Sequence, residues 1–195
     1  TTFAENCLAI TKTIKSGNHT FEQFEKELKN IRYRNGKIDG YLSRLHYFSD
    51  WIFDNQQKRL VANISKEIAA TGYDNTVDFM STHPESYKQL KDSALLVKKI
   101  LKQEQNINAR QQFFIPENKI AAVENQLMDG DIVGITTRVE GLDIAHVGIL
   151  IRKAGHIHLM HASSVAEEVV VTENTLEDYL LKSESSTGIM VARPL

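Results

Sequence analysis

The clearest structural signal in this sequence is the stretch Gly130–Ser164, which reads GDIVGITTRVEGLDIAHVGILIRKAGHIHLMHASS. It contains two runs of mostly β-branched residues, Ile132–Thr136 and Val147–Ile151, and a third segment, His156–Ala162, which carries three histidines. Short β-branched runs between Gly and Asp turn signals predict neighbouring antiparallel strands. We therefore expect an antiparallel sheet in the second half of the chain.

Four histidines lie in or beside these predicted strands. His146 stands where the loop Glu140–Asp143 enters the second run, and His156, His158 and His161 belong to the third segment. Because consecutive strands usually pair, His146 can face the third segment across a ladder. Side chains alternate along a strand, so His156 and His158 share one face and His161 takes the other. Only part of this set can therefore meet His146, where imidazoles would transfer protons at neutral pH.

A zinc site is the alternative interpretation of the same histidines, because His is a common zinc ligand. The segment offers no Asp, Glu or Cys at ligand spacing, and the strand alternation separates the imidazoles. We therefore expect neither a metal nor another cofactor.

Composition and charge narrow the classes of function. The chain has 195 residues, of which 42% are hydrophobic and 25% are charged, with a formal net charge of −2. This length predicts one domain over residues 1–195. No basic block indicates a nucleic-acid partner, and no apolar run is long enough to span a bilayer. The single cysteine, Cys7, excludes an internal disulfide, and its position among apolar helix residues predicts core packing.

The first half of the chain has the apolar spacing of helices. Apolar residues three or four apart predict helices over Thr1–Ser16 and Phe21–Arg32. Thr1 or Thr2 would cap the first helix, with Glu5 completing a capping box. The two predicted apolar stripes consist of Phe3, Cys7, Ile10 and Ile14, and of Phe21, Phe24, Leu28 and Ile31.

Further elements are predicted along the rest of the chain. They are a strand over Lys58–Ser65, a helix beginning at His83-Pro84, a polar helix over Leu95–Gln105, a short helix over Lys119–Leu127, a strand over Glu168–Thr172, a helix over Thr175–Leu181 and a last strand over Ile189–Val191. Helices in the first half and an antiparallel sheet in the second make the predicted fold class α+β.

The segment Tyr41–Asn55, YLSRLHYFSDWIFDN, is rich in aromatic residues and allows two interpretations. Its rings could belong to the core. The interleaved polar side chains, which are Arg44, His46, Asp50 and Asp54, would instead suit an aromatic-lined groove with polar contacts.

Seven motifs, in order along the whole chain, resemble those of a known family. They are TTFAEN at the start, RLHYFSDWIFDN, FMSTH, IPENKI, GLDIAHVGI, HLMHASS and the closing GIMVARP. GDIVGI followed by HVGI resembles the catalytic sheet of papain-like NlpC-type cysteine peptidases. The complete set is similar to the NlpC-related N-acetylmuramoyl-L-alanine amidases, long labelled a domain of unknown function.

The resemblance implies a thiol amidase whose cysteine stands at the N-terminus of a helix. His146 matches the family base, and His161 matches the third member of the site, with His158 as the alternative. The family motif reads Asp-Cys-Thr-Thr-Phe, so the expected nucleophile lies just before Thr1. Cys7 cannot replace it, because a mid-helix position lacks the free N–H groups of the first turn. We therefore expect the sequence to be a fragment of a longer chain; without that cysteine the chain would be inactive.

The expected substrate is a peptidoglycan fragment, or muropeptide, cleaved between N-acetylmuramic acid and L-alanine. The predicted substrate-binding residues are Arg44, Tyr47, Asp50, Trp51 and Asp143. In particular, Arg44 would bind peptide carboxylates, and Trp51 would offer a flat wall to the sugar. The alternatives are a γ-D-glutamyl endopeptidase of the same fold and a non-catalytic cell-wall-binding module. From this substrate class we expect the protein to lie in the periplasm or at the cell envelope.

Overall fold

A computed structural model describes residues 1–69 and 71–195 of the chain. The helices are α1 (Thr2–Lys15), α2 (Phe21–Arg32), α3 (Phe48–Gln57), α4 (Ser65–Ala69), α5 (Phe79–Thr82), α6 (Ala94–Asn108), α7 (Ile120–Val123) and α8 (Leu176–Leu181). The strands are β1 (Val61–Asn63), β2 (Thr71–Gly72), β3 (Phe113–Pro116), β4 (Ile132–Thr137), β5 (Ile144–Lys153), β6 (His156–Ser163), β7 (Glu168–Val171) and β8 (Ser186–Pro194).

The strands form one antiparallel sheet in the order β2-β3-β8-β4-β5-β6-β7, and β1 also pairs with β8. The three strands predicted from the central stretch are β4, β5 and β6, which pair consecutively. In their register, Ile132 lies opposite Ile149, which lies opposite Met160. The α+β prediction is confirmed.

Alternate residues of the central strands enter two different hydrophobic clusters, as a sheet covered on both sides requires. Ile132 and Ile149 pack with residues of α1, α2 and α3, whereas Val133 and Leu150 pack with residues of α7 and α8. The approach of α3 depends on Gly134, because a Cβ there would lie 2.3 Å from a ring carbon of Phe48. A glycine in β4 therefore lets the aromatic segment rest directly on the sheet.

The predicted buried stripe of α1 is wrong in its second half. Ile10 and Ile14 are 49% and 61% exposed, while Leu8 and Ala9 are buried. The buried face also contains Glu5, which is fully buried between arginines. Because the buried face of α1 contains this charged residue, the spacing of apolar residues alone does not identify that face. Thr1 makes no side-chain capping hydrogen bond, so the predicted capping box does not form.

Helix α2 has the predicted bounds, and Thr20 caps it by accepting a hydrogen bond from the Gln23 amide. Ile31 is buried as expected, but Phe21 is 68% exposed. Phe21 is the first residue of the helix, and its ring centroid lies 5.9 Å from that of Phe24. This part of the predicted stripe is therefore wrong.

The other predicted helices and strands agree best with the structure in the last part of the chain, which contains β7, α8 and β8. Strand β7, the longer β8, and α8 with its Thr175 cap are confirmed. The predicted strand Lys58–Ser65 shrinks to three residues, because α4 begins at Ser65. Only a single 3-10 turn, Pro84–Ser86, follows His83, and the regular helix α6 starts further along.

Two further differences concern short elements around Pro116. The predicted helix Lys119–Leu127 is a succession of a 3-10 turn, the four-residue α7 and a second 3-10 turn. Strand β3 was not predicted, since it is short and ends in proline. Its pairing with β8 places Pro116 opposite Gly188. Within the described ranges, no helix is long and apolar enough to cross a membrane.

Candidate active site

Strands β5 and β6 bring two of the four histidines into contact. The Nε2 atom of His146 lies 2.8 Å from the Nδ1 atom of His161. The two rings meet edge to face, with centroids 4.9 Å apart and an interplanar angle of 89°. One ring nitrogen must donate and the other accept, so the hydrogen bond also orients each imidazole. The structure thus joins His146 to the member of the segment that the resemblance implied.

The electrostatics of this pair favour neutral imidazoles. Burial lowers the pKa of His146, and the charge of His161 lowers it further. Burial also lowers the pKa of His161. A neutral imidazole at pH 7 can accept a proton, which is the property that a general base requires. Helix α1 contacts both β5 and β6, so it lies beside the strands that carry the pair.

The other two histidines have separate surroundings. His158 is buried and donates from Nδ1 to the carbonyl oxygen of Thr172 at 2.9 Å. His156 lies 3.3 Å from a carboxylate oxygen of Glu124 at an exposed position. Neither side chain joins the His146–His161 pair in these contacts. His158, the alternative third member of the site, is instead a structural link between β6 and the end of β7.

A buried charge cluster underlies the start of α1. Both carboxylate oxygens of Glu5 accept hydrogen bonds from Arg44, at 2.9 and 3.1 Å, and one of them also accepts from Arg32 at 3.0 Å. Two guanidinium groups share one carboxylate, so the cluster keeps a net positive charge. This arrangement was missed because only tertiary contacts reveal that Glu5 faces inward.

Three predicted substrate-binding residues of the aromatic segment are part of the interior, which corrects that prediction. Trp51 is 1% exposed and stacks on Phe48 with an interplanar angle of 8°. The buried Tyr47 donates to Glu104 at 2.7 Å and accepts from the Met80 amide at 2.9 Å.

Asp50, also buried, accepts hydrogen bonds from Arg34 at 2.6 Å and from Arg110 at 2.7 Å. The polar residues that suggested a groove are thus satisfied by protein partners. Trp51 in particular offers no face to a sugar.

Asp143, another predicted substrate contact, is also buried. Its side chain accepts from the Ser49 amide at 2.7 Å, near the N-terminus of α3, and from its neighbour Ile144 at 2.8 Å. Its carbonyl oxygen accepts from the Tyr73 hydroxyl at 2.8 Å. Burial raises the pKa of Asp143, and the hydrogen bonds from Ser49 and Ile144 oppose that shift. Asp143 caps α3 and fixes the loop that leads to His146, and it has no free surface for substrate.

Arg44 is the one predicted substrate residue that keeps some access. Its guanidinium group is held by Glu5, but its side chain is 25% exposed and lines a surface depression with Tyr33, Tyr41 and His46. Within the part of the chain that the structure describes, no group of three His, Cys, Asp or Glu side chains is placed to hold a metal ion.

A hydrogen-bonded pair of imidazoles on a sheet is an arrangement that can accept and donate protons. The model of the AmiA-like family, described as N-acetylmuramoyl-L-alanine amidase-like, matches residues 1–189. The chain belongs to this family. A search of curated proteins finds no match.

Solved structures agree with this membership. An N-acetylmuramoyl-L-alanine amidase from Bacteroides uniformis ATCC 8492 is 38% identical, with a TM-score of 0.92 over 97% of this chain and 80% of that one. A Bacteroides fragilis protein named as a candidate xylanase is 38% identical, with a TM-score of 0.93 over 99% of this chain and 84% of that one. A Legionella pneumophila protein shares the fold at 22% identity and a TM-score of 0.67, over 90% of this chain and 70% of that one.

Proposed function

We propose that this protein is a thiol amidase that hydrolyses the bond between N-acetylmuramic acid and L-alanine in peptidoglycan fragments. The observation that carries the proposal is the 2.8 Å contact between His146 and His161 in a chain that belongs to an amidase-like family. The fold that we propose for residues 1–195 is the papain-like one of NlpC-type enzymes, acting as a single catalytic domain. Such a substrate would place the protein in the periplasm or at the cell envelope.

The nucleophile in this proposal is a cysteine immediately before Thr1, at the start of α1. Two features support that position: the packing of α1 against β5 and β6, which carry the two histidines, and the net positive Glu5–Arg32–Arg44 cluster at its first turn. A helix N-terminus and nearby cations stabilise a thiolate and so lower its pKa. Cys7 is a poor substitute, because burial raises the pKa of its thiol.

The reaction then proceeds in two balanced steps. His146 takes the thiol proton, and the thiolate attacks the lactyl carbonyl carbon, while free N–H groups of the first helical turn hold the oxyanion. The amide C–N bond breaks as His146 returns the proton to the leaving amine of alanine. Water, deprotonated by His146, next attacks the thioester and releases the lactyl carboxylate and the thiol. His161 holds His146 in the required orientation through their mutual hydrogen bond.

The decisive experiment treats a purified muropeptide with the chain extended by the natural residues that precede Thr1, and reads the product masses. We expect a free peptide beginning at L-alanine and a peptide-free muramyl sugar. Iodoacetamide should abolish the reaction and a chelator should leave it intact, because the nucleophile is a thiolate.

Other product masses would identify the alternatives. A cut within the peptide would show a γ-D-glutamyl endopeptidase of the same fold. Binding without cleavage would indicate a cell-wall-binding module. Release of reducing sugar from xylan would indicate a xylanase, as the name of the Bacteroides fragilis relative suggests. Each of these results would overturn the amidase proposal.

A further inference from the structure

Two adjoining depressions lie beside the start of α1. One has a volume of about 540 Å³ and the other about 640 Å³, and both are lined by Gly40 and Tyr41. We call their combined surface the Tyr41 groove. The side chains that matter for its chemistry are Tyr33, Tyr41, Arg44 and His46 in the first depression, and Arg34, Lys37, Asp39 and Lys99 in the second.

The groove begins next to the proposed catalytic site. Arg44, in the wall of the first depression, holds Glu5 in the first turn of α1. A substrate whose scissile amide lies at the start of α1 can therefore extend into the first depression and continue into the second.

The second depression carries an excess of positive charge. Its lining includes three cations, Arg34, Lys37 and Lys99, and one anion, Asp39. Lys37 and Lys99 are exposed, and neither forms an ion pair within the described part of the chain. Arg34 pairs with the buried Asp50, but Arg110 already neutralises that carboxylate. An anionic ligand would therefore meet at least two cations that have no competing partner.

The first depression offers rings and directed polar groups instead. His46 packs against Tyr41 with ring centroids 4.5 Å apart and donates from Nε2 to the Tyr41 carbonyl oxygen at 3.0 Å. Burial is the largest cause that lowers the pKa of His46, so its ring is neutral at pH 7 and its second nitrogen is an acceptor. Such a surface suits the apolar Cα–Cβ portion and the amide N–H groups of a peptide.

We propose that the Tyr41 groove binds the acidic stem peptide on the leaving-group side of the scissile amide, with Lys37 and Lys99 facing its carboxylates. The inference rests on the proposed amidase function, since it extends that site to the next part of the substrate. In a muropeptide, the γ-linked glutamyl residue and the peptide end carry the free carboxylates, whereas the sugar is uncharged. The cationic end of the groove therefore matches the peptide.

The test compares the double variant Lys37→Gln/Lys99→Gln with the control Lys98→Gln/Lys102→Gln, in the chain that carries the natural residues before Thr1. Both pairs remove the same charge; Lys98 and Lys102 are exposed on α6 but outside the groove. The groove variant should raise KM for the acidic muropeptide about threefold to tenfold, the effect of losing two exposed ion pairs. Its kcat should stay near that of the unmodified protein, as should both constants of the control.

A second substrate tests whether the effect on KM depends on the peptide carboxylates. When the peptide carboxylates are converted to amides, the groove variant and the unmodified protein should have the same KM. Equal KM values for the acidic muropeptide, or an equal rise in the control variant, would overturn the groove assignment while leaving the amidase function in place.

A direct binding measurement separates the two proposals. If no muropeptide is cleaved, the amidase function fails, and calorimetric titration with the free tripeptide L-Ala-γ-D-Glu-diaminopimelate still tests the groove. Weaker binding to the groove variant than to the control would support the groove on its own. Equal binding to both, or no binding to the unmodified protein, would exclude it.

Discussion

Helix α3 and the strand pair β5–β6 both carry the mixture of rings and polar groups that indicates function, yet the structure uses them differently. In α3, Trp51 and Asp50 are 1% and 2% exposed, and Asp50 is held between two arginines. In the strands, His146 and His161 contact each other beside α1, and His146 keeps partial access to solvent while His161 is 7% exposed. In the function that we propose, the helix supplies structural support and the strands supply the reacting groups.

The difference shows that polarity within an aromatic segment does not by itself indicate a binding site. A buried carboxylate needs cationic partners, and here the chain brings both from other elements. The imidazole pair has no carboxylate or carbonyl hydrogen-bond partner among the described residues, so it keeps its capacity to exchange protons. Whether a polar side chain already has a partner inside the protein, rather than its residue type, therefore distinguishes structural residues from candidate site residues. Four measurements would break or sharpen this comparison.

The largest expected effect is on catalysis, from His146→Ala. Loss of the proposed base should reduce kcat about 10²- to 10⁴-fold, because the thiol would no longer lose its proton to a positioned group. The free energy of unfolding should change little, since His146 lies at the partly exposed end of β5. Activity should be measured on a muropeptide and stability by urea unfolding; an active variant would remove His146 from the mechanism.

The second effect is on stability, from Trp51→Ala. Removing the buried indole should lower the free energy of unfolding by about 3–5 kcal/mol. Trp51→Phe is the matched control and should cost far less, because it keeps a ring against Phe48 and removes an indole N–H that has no partner among the described residues. A normal stability for Trp51→Ala, with a raised KM, would restore the earlier interpretation of Trp51 as a sugar-binding wall.

The third effect is the dependence of stability on pH. The pKa values of His46, His146 and His161 are all lowered in the folded protein, mainly by burial. The unfolded chain, with pKa values near 6.5, then binds protons more readily. The stability that these groups contribute is complete above about pH 6.5 and falls as the pH drops through their folded pKa values.

Urea unfolding of the unmodified protein between pH 5 and 8 measures this slope. The variant His46→Gln, in which the titrating ring is replaced by a neutral polar side chain, should show a shallower slope. An identical slope would mean that His46 titrates equally in the folded and unfolded states.

The smallest effect is expected from Phe21→Ala. Phe21 is 68% exposed, so its truncation should change the free energy of unfolding by no more than about 0.5 kcal/mol. Leu8→Ala, on the buried face of α1, is the comparison and should cost about 2–5 kcal/mol. Comparable losses in thermal or urea unfolding would contradict the helix faces seen in the structure.

Sequence analysis works best where contacts are local. Strands β4, β5 and β6 follow one another with short connections, so their pairing and the separation of His161 from His158 can be predicted from the alternation of side chains. It works worst in α1 and in the short elements around Pro116. There the outcome depends on distant partners: Glu5 is satisfied by arginines 27 and 39 positions away, and the residues of β3 are held by their pairing with β8.

The amino-acid sequence alone determined the fold class, the central strands, the helix α2 with its Thr20 cap, and the pairing of His146 with the histidine segment. These follow from side-chain period and from contacts between neighbouring elements, which sequence order already specifies. Only the tertiary structure decided which polar side chains are paired with other residues inside the protein and which remain free to bind a ligand. Asp50 accepts hydrogen bonds from arginines 16 and 60 positions away. The local sequence around Asp50 does not indicate that these arginines contact it. A charge is stable in the interior only when the rest of the chain brings its counter-charge to it.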